Sequence, residues 1–223
     1  MGGKTAIFDL DGTLADTSGD LLAAANACFR GLGHGDVLGA GDEFAAFAGG
    51  RAMLRLGFSR LGVEWGEAQV SAEYPRLLGA YAAAIDRHTV IYPGVAAALR
   101  ALAAQGWHLG ICTNKPEGLA ESLMGRLGLR GHFACLIGAD TLPVRKPDPA
   151  PYLEAVRRAG GDLARSVLIG DTVTDRDTAR AAGVPVVLVT FGPSGRAVAD
   201  LRPDALLDHF DALPGLLAGL VAD

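Results

Sequence analysis

Two pairs of aspartates, each directly behind a short apolar run, are the residues of this sequence best suited to chemistry. In Ala6-Ile7-Phe8-Asp9-Leu10-Asp11-Gly12-Thr13 the carboxylates are spaced by two. Alternate residues of an extended chain face the same way, so Asp9 and Asp11 project together from a strand end, and Gly12 lets the chain turn sharply behind them. Crowded carboxylates repel, so a cation or a shared proton has to hold them together. The second pair lies in Gly170-Asp171-Thr172-Val173-Thr174-Asp175, behind the apolar run 167–169. Asp171 then sits at a strand end and Asp175 at the start of the next helix, where an acid also suits the helix dipole and a capping role. One Asp-x-Asp-Gly is commonly a turn and one such acid a cap, but four carboxylates meeting at two strand ends point to a cation. An all-oxygen ligand set suits Mg²⁺ better than zinc, which normally recruits His or Cys.

Two further segments complement a phosphate. Behind the apolar run 109–112 stand Thr113, Asn114 and Lys115, which offer hydroxyl, amide and backbone N–H donors near a helix start opened by Pro116. Lys146 is followed by Pro147-Asp148-Pro149, and the prolines stiffen the segment so that the ammonium is held at a fixed point. A lysine is ordinarily solvated. Here, however, only Lys4, Lys115 and Lys146 are lysines among 20 Lys and Arg together, so a chain that prefers arginine keeps lysine at these places.

Those residues need a scaffold that gathers strand ends. Short β-rich runs at 5–8, 109–112, 133–137, 167–169 and 186–189 alternate, from about residue 93 onward, with helical stretches at 95–104, 117–127, 151–159 and 175–182. The alternation predicts an α/β fold, a parallel sheet with helices on both faces. Right-handed crossovers place the carboxyl ends of all strands on one edge, where open α/β sheets bind ligands. Residues 16–88 instead show helical periodicity without a convincing strand: Leu21, Ala25, Cys28 and Leu32 share one face, Leu54, Phe58 and Leu61 a second, and Leu77, Leu78, Tyr81 and Ile85 a third, with Pro75 starting or kinking the last helix. The expected organisation is a core of residues 1–15 and 89–223 interrupted by an all-helical insert, residues 16–88.

Composition excludes several classes. With half of its 223 residues hydrophobic and a fifth charged, the chain suits a packed globule. A net charge of −5 argues against binding nucleic acid or an anionic membrane, both of which need a cationic face. The longest uncharged runs, 101–114 and 181–195, are too short to span a bilayer, and Lys4, Asp9 and Asp11 interrupt the apolar stretch a signal peptide would need. Cys28, Cys112 and Cys135 are odd in number and widely spaced, which suits buried thiols in a reducing compartment. A soluble, cytoplasmic protein is expected. No histidine has metal-ligand spacing, and Trp65 and Trp107 read as packing residues.

The four segments, in this order and at these strand ends, resemble the four motifs of the haloacid dehalogenase superfamily: Asp9 and Asp11 match the first, Thr113 the second, Lys146 the third, and Asp171 with Asp175 the fourth. The resemblance covers nearly the whole chain. It implies a Rossmann-like parallel sheet core and an inserted all-helical cap of type C1. Within the superfamily, Thr113-Asn114-Lys115-Pro116 and Gly138-Ala139-Asp140-Thr141 running to Arg145-Lys146-Pro147-Asp148-Pro149 are most similar to phosphoglycolate phosphatases. The implied activity is Mg²⁺-dependent hydrolysis of a small phosphomonoester, with 2-phosphoglycolate foremost. Asp9 would be the nucleophile that forms an aspartyl-phosphate, and Asp11 the general acid and base. Asp9, the Asp11 carbonyl, Asp171 and Asp175 would hold the metal, and Thr113, Asn114 and Lys146 would bind the phosphoryl oxygens. The expected partner is a small phosphorylated metabolite, and the chain is a monomer or homodimer. Asp11 speaks against a dehalogenase, which has no phosphate ester leaving group to protonate. Absence of lysine from 16–88 speaks against an imine-forming phosphonoacetaldehyde hydrolase. A sugar phosphomutase like β-phosphoglucomutase, and a non-catalytic phospholigand-binding protein on the same fold, remain as alternatives. Specificity is expected in the cap, where Arg51, behind Gly49-Gly50, either grips a substrate carboxylate or, with Arg55 one turn on, forms a solvated helix face.

Overall fold

The computed structural model describes residues 3–221. In chain order its elements are β1 (Gly3–Phe8), β2 (Ala15–Asp16), α1 (Ser18–Gly31), α2 (Glu43–Phe47), α3 (Gly50–Leu61), α4 (Glu67–Ala83), β3 (Val90–Ile91), α5 (Val95–Ala104), β4 (His108–Cys112), α6 (Glu117–Arg126), β5 (Cys135–Ile137), α7 (Ala150–Arg158), β6 (Gly161–Gly170), α8 (Val173–Ala182), β7 (Val186–Val189), β8 (Ala205–Leu207) and α9 (Leu213–Leu220). They divide into two compact units: the described residues up to Ala15 and from Ile91 onward, and the helical segment Asp16–Val90.

The first unit is built on a six-stranded parallel sheet in the order β5-β4-β1-β6-β7-β8. Its central strands are apolar on both faces, as a sheet covered by helices on both sides requires. Ile7, Leu168 and Leu188 pack with Tyr152, Ala155 and Val156 of α7 and Ala179 of α8. The alternate residues Ala6, Phe8, Ile111, Ile169 and Val187, facing the other way, are also fully buried. The register pairs Phe8 with Ile111 on one side and Ile169 on the other, so β4, β1 and β6 end level with one another. The segments that follow these three strands carry Thr113, Asp9 with Asp11, and Asp171.

The loop behind β5, which carries Lys146, is sewn to the segment behind β4. Ala139 N donates to Lys115 O (2.9 Å), Thr113 N to Ile137 O (2.9 Å) and Glu117 N to Asp140 Oδ1 (2.7 Å), while Thr141 Oγ1 donates to Glu117 Oε2 (2.7 Å). The approach is so close that a Cβ on Gly138 would lie 2.4 Å from Glu117 N, a backbone atom that no rotamer change can move.

In the second unit α4 packs on α1 and α3. Phe29 of α1 meets Phe58 of α3 edge to face at 5.4 Å between ring centres, and Phe58 stacks on Trp65 at 6.2 Å. Gly57 makes this possible, because a Cβ there would lie 2.1 Å from the Phe29 ring.

The sequence reading needs four corrections. Pro75 does not start a helix: it lies inside α4, whose start is fixed at Gly66, where Gln69 Oε1 accepts from the Gly66 N–H at 3.0 Å. The insert returns to the core after Val90 rather than after His88, because the buried Asp20 carboxylate accepts from His88 N (3.0 Å), Thr89 N (2.9 Å) and Thr89 Oγ1 (2.8 Å) and so holds those residues in the helical unit. The strand expected at 133–137 is confined to Cys135–Ile137, since Arg130–His132 turns as a 3₁₀ helix directly before it. Strand β8 and helices α2 and α9 were not foreseen. Ala205-Leu206-Leu207 lacks the β-branched and aromatic residues that mark a strand, and it is held by its ladder to β7 and by Asp204 Oδ2 accepting from Val186 N at 2.8 Å.

Gly138→Ala is expected to cost about 1–3 kcal/mol through overpacking, which for a chain of this size lowers the thermal midpoint by about 2–4 °C per kcal/mol. Gly79→Ala, at an exposed α4 position where a Cβ meets nothing within 4 Å, serves as the control and is expected to leave the midpoint unchanged or raise it. Thermal unfolding of the two variants checks this.

Candidate active site

Asp9 follows β1 directly. Its backbone N–H continues the ladder to Ile169 O (2.9 Å), and its Oδ1 accepts from Leu10 N (2.7 Å). Gly12, at φ +79°, turns the chain back, and the next side chain, Thr13 Oγ1, donates to Asp171 Oδ1 at 3.1 Å. Behind β6, Thr172 and Asp175 form a capping box at the start of α8: Asp175 Oδ2 accepts from Thr172 N (3.1 Å), Thr172 Oγ1 (2.9 Å) and Asp171 N (3.2 Å). Asp175 is therefore both a helix cap and a member of the site, since its Oδ1 accepts from Lys146 Nζ at 2.6 Å. Gly170 admits this arrangement, because a Cβ there would lie 2.3 Å from Asp175 Cγ.

Oxygens of Asp9, Asp171 and Asp175 all lie within 4.8 Å of one another. Lys146 sits among them, its ammonium 2.6 Å from Asp175 and 3.1 Å from Asp9. Three carboxylates against one ammonium leave an excess of two negative charges, the charge of one divalent cation. Asp171 Oδ2 is buried and accepts no hydrogen bond. A buried anionic oxygen without a donor is costly, and a bound cation would relieve it. The donor set is all oxygen, so the residues fit a hard cation of the Mg²⁺ kind.

The electrostatics carry the same imbalance. Burial pushes the Asp9 carboxyl from 3.8 up to about 6; Lys146 opposes the shift, and Asp175 and Asp11 add to it. Burial, then the charges of Asp175 and Asp9, hold Asp171 well above the usual carboxylate range. For Lys146 burial disfavours the charge, yet Asp175 and Asp9 more than offset it, so the ammonium is kept protonated. Burial also pushes the Cys112 thiol, at the end of β4, up to about 12, which leaves it inert beside the site.

The other residues singled out in the sequence divide as follows. Thr113 is buried at the end of β4, and its Oγ1 accepts from Lys115 N at 3.2 Å. The Asn114 amide donates to the Lys146 carbonyl at 3.0 Å, so the amide expected to bind phosphate here anchors the Lys146 loop. The Asp11 carboxylate stands apart from the three-aspartate cluster and accepts from Lys115 Nζ at 2.7 Å. Arg51 lies in the helical unit, where Nη1 donates to Ser71 Oγ (3.1 Å) and the guanidinium stacks 4.5 Å over the Tyr74 ring; Arg55 forms a two-pronged pair with Glu67 (2.6 and 2.8 Å). Sequence reasoning gave Thr13 no role, and gave Lys115 that of a backbone N–H donor without one for its side chain. For Lys115 the scarcity of lysine in the chain was the available signal.

A family model described as haloacid dehalogenase-like hydrolase matches residues 4–183. The chain is 42% identical over 219 residues to a phosphoglycolate phosphatase of Mesorhizobium japonicum, covering 95% of this chain and 93% of that one. It is 38% identical over 218 residues to a phosphoglycolate phosphatase of Agrobacterium fabrum, covering 97% and 94%. Its structure superposes with TM-score 0.81 and 25% identity on the crystal structure of a predicted phosphoglycolate phosphatase from Haemophilus somnus, over 96% of this chain and 97% of that one. Among the described residues no helix is long and apolar enough to cross a membrane.

Because Asp9 and Asp171 bind protons more tightly folded than unfolded, their contribution to stability is full at low pH and is lost as pH rises, for Asp9 from about 3.8 through about 6. In a chelator at pH 8, Asp171→Asn is expected to melt higher than the wild type, by about 2–4 °C for each kcal/mol of repulsion removed. The gap should narrow as the pH falls and Asp171 takes up its proton. Excess Mg²⁺ should raise the midpoint of the wild type and not of the variant. Thermal melts across pH, with and without Mg²⁺, check all three.

Proposed function

The chain belongs to the haloacid dehalogenase-like hydrolase family and is a phosphatase of it, and we propose that it hydrolyses 2-phosphoglycolate with Mg²⁺ through an aspartyl-phosphate. The observation that carries this reading is the three-aspartate cluster with its one buried ammonium, on a chain 36–42% identical to phosphoglycolate phosphatases.

An oxygen of Asp9 attacks phosphorus, the P–O bond to the alcohol breaks, and the phosphoryl group is held on Asp9; one hard displacement becomes two easier ones. Asp11 gives its proton to the departing alkoxide and then takes one from the water that hydrolyses the intermediate, so that inorganic phosphate leaves and Asp9 is regenerated. Lys146 and Thr113 bind the non-bridging oxygens, and Asn114 fixes Lys146 by its backbone. Asp9, the Asp11 carbonyl and Asp171 would hold the cation, with Asp175 beside them. When bound, Mg²⁺ offsets the anionic charge of the transferring group. Because Oδ2 of Asp175 accepts three hydrogen bonds and Oδ1 accepts from Lys146, its main part is to cap α8 and fix Lys146. The burial of all three thiols suits a reducing cytoplasm.

Phosphate release from a panel of esters with Mg²⁺, including phosphoglycolate, sugar phosphates and pyrophosphate, tests the reading. The highest kcat/KM is expected for phosphoglycolate, with loss of turnover in chelator. Asp9→Asn should lower kcat by at least about 10³-fold. A sugar phosphate isomerised rather than hydrolysed in the presence of its bisphosphate, or no Mg²⁺-dependent turnover of any ester, would contradict it.

A further inference from the structure

A second buried lysine stands in the site without a part in the chemistry so far. Lys115 Nζ lies 2.7 Å from Asp11 Oδ1, with the lysine side chain 4% and the aspartate side chain 18% exposed. The lysine is held at both ends of its backbone unit: its N–H donates to Thr113 Oγ1 (3.2 Å) and its carbonyl accepts from Ala139 N (2.9 Å). Its ammonium thus reaches Asp11 from the β4 side, 104 residues away in sequence. Lys146 is not placed to do the same, since it bridges Asp9 and Asp175. The two ammonium groups divide the first pair of carboxylates between them: Lys146 meets Asp9, and Lys115 meets Asp11.

A carboxyl group that must hand its proton to one particular oxygen has to be held in one orientation, and packing alone does little for a side chain at the rim of a loop. A charge-assisted hydrogen bond from a buried, backbone-anchored ammonium supplies that restraint. We propose that Lys115 is the positioning residue of the leaving-group acid, fixing the Asp11 carboxyl group in the orientation from which its proton passes to the departing alkoxide. This rests on the reading of Asp11 given above. In the step itself the bond from Asp9 oxygen to phosphorus forms, the bond from phosphorus to the ester oxygen breaks, and the Asp11 proton goes to that oxygen. Lys115 keeps its own protons throughout.

The test compares kcat/KM of Lys115→Met and Lys115→Gln, with Mg²⁺ present, on three esters: 2-phosphoglycolate, ethyl phosphate and p-nitrophenyl phosphate. The first two have alkoxide leaving groups that need a proton; the third releases a stabilised phenolate. Loss of an oriented acid should lower both alkyl esters by about 10²–10³-fold and the aryl ester by about tenfold at most, with Lys115→Arg recovering part of the difference. Equal losses on all three would overturn the proposal, since Lys115 would then serve the phosphoryl group or the fold. A loss confined to phosphoglycolate would overturn it too, by making Lys115 a grip for the substrate carboxylate. Asp11→Asn separates this from the reading beneath it. If Asp11→Asn discriminates between alkyl and aryl esters and the Lys115 variants do not, only the Lys115 proposal falls. If Asp11→Asn does not discriminate either, Asp11 is not the acid and both fall.

Discussion

Burying Asp9, Asp171 and Asp175 around a single ammonium is the constraint from which the rest of the site follows. Charges withdrawn from water are costly unless compensated, and here the compensation is short by two. The shortfall shows in an acceptor on Asp171 without a donor and in a carboxyl on Asp9 that burial, with Asp175 and Asp11, pushes up to about 6 against the pull of Lys146. A divalent cation would give the Asp171 oxygen a partner and favour the ionised form of Asp9. A phosphoryl group, itself anionic, then meets a site that is no longer repulsive.

The sheet makes this affordable. Because β4, β1 and β6 are parallel neighbours ending in register, the residues that follow them lie together at one edge of the sheet. The start of α8 supplies Asp175 from a capping position, so a residue that stabilises the helix also fixes Lys146. The loops behind β4 and β5 are braced to each other by the close approach at Gly138, by the Asn114 amide on the Lys146 carbonyl and by the Asp140 carboxylate on the Glu117 N–H.

Much of this was legible in the sequence, because strands of a parallel sheet read as short apolar runs and acids directly behind them have one place to go. Asp9, Asp171 and Asp175 stand out in that way, Lys146 by the prolines behind it and the scarcity of lysine, and four of the five expected strands are extended or kept by the structure. What escaped was decided by tertiary contact. Nothing local distinguishes Lys115 from a solvated lysine, and its pairing with Asp11 arises only when β4 lies beside β1. Asn114 could be recognised as a donor, but its acceptor, the Lys146 carbonyl, belongs to a loop 32 residues on. Pro75, expected to start or kink a helix, lies inside α4, which packs against α1 and α3; a proline forfeits one hydrogen bond and need not begin the helix. The Ala- and Leu-rich strand β8 carries no β signal of its own.

Calorimetric titration of the protein with Mg²⁺ at pH 6, repeated in buffers of different ionisation enthalpy, tests the central claim most directly, because it counts the protons that a cation displaces from the cluster. A single site that releases protons at pH 6, releases fewer as the pH is raised, and disappears in Asp171→Asn is the result expected. Mg²⁺ binding that is absent, or that is unaffected by Asp171→Asn and displaces no protons at pH 6, would contradict it.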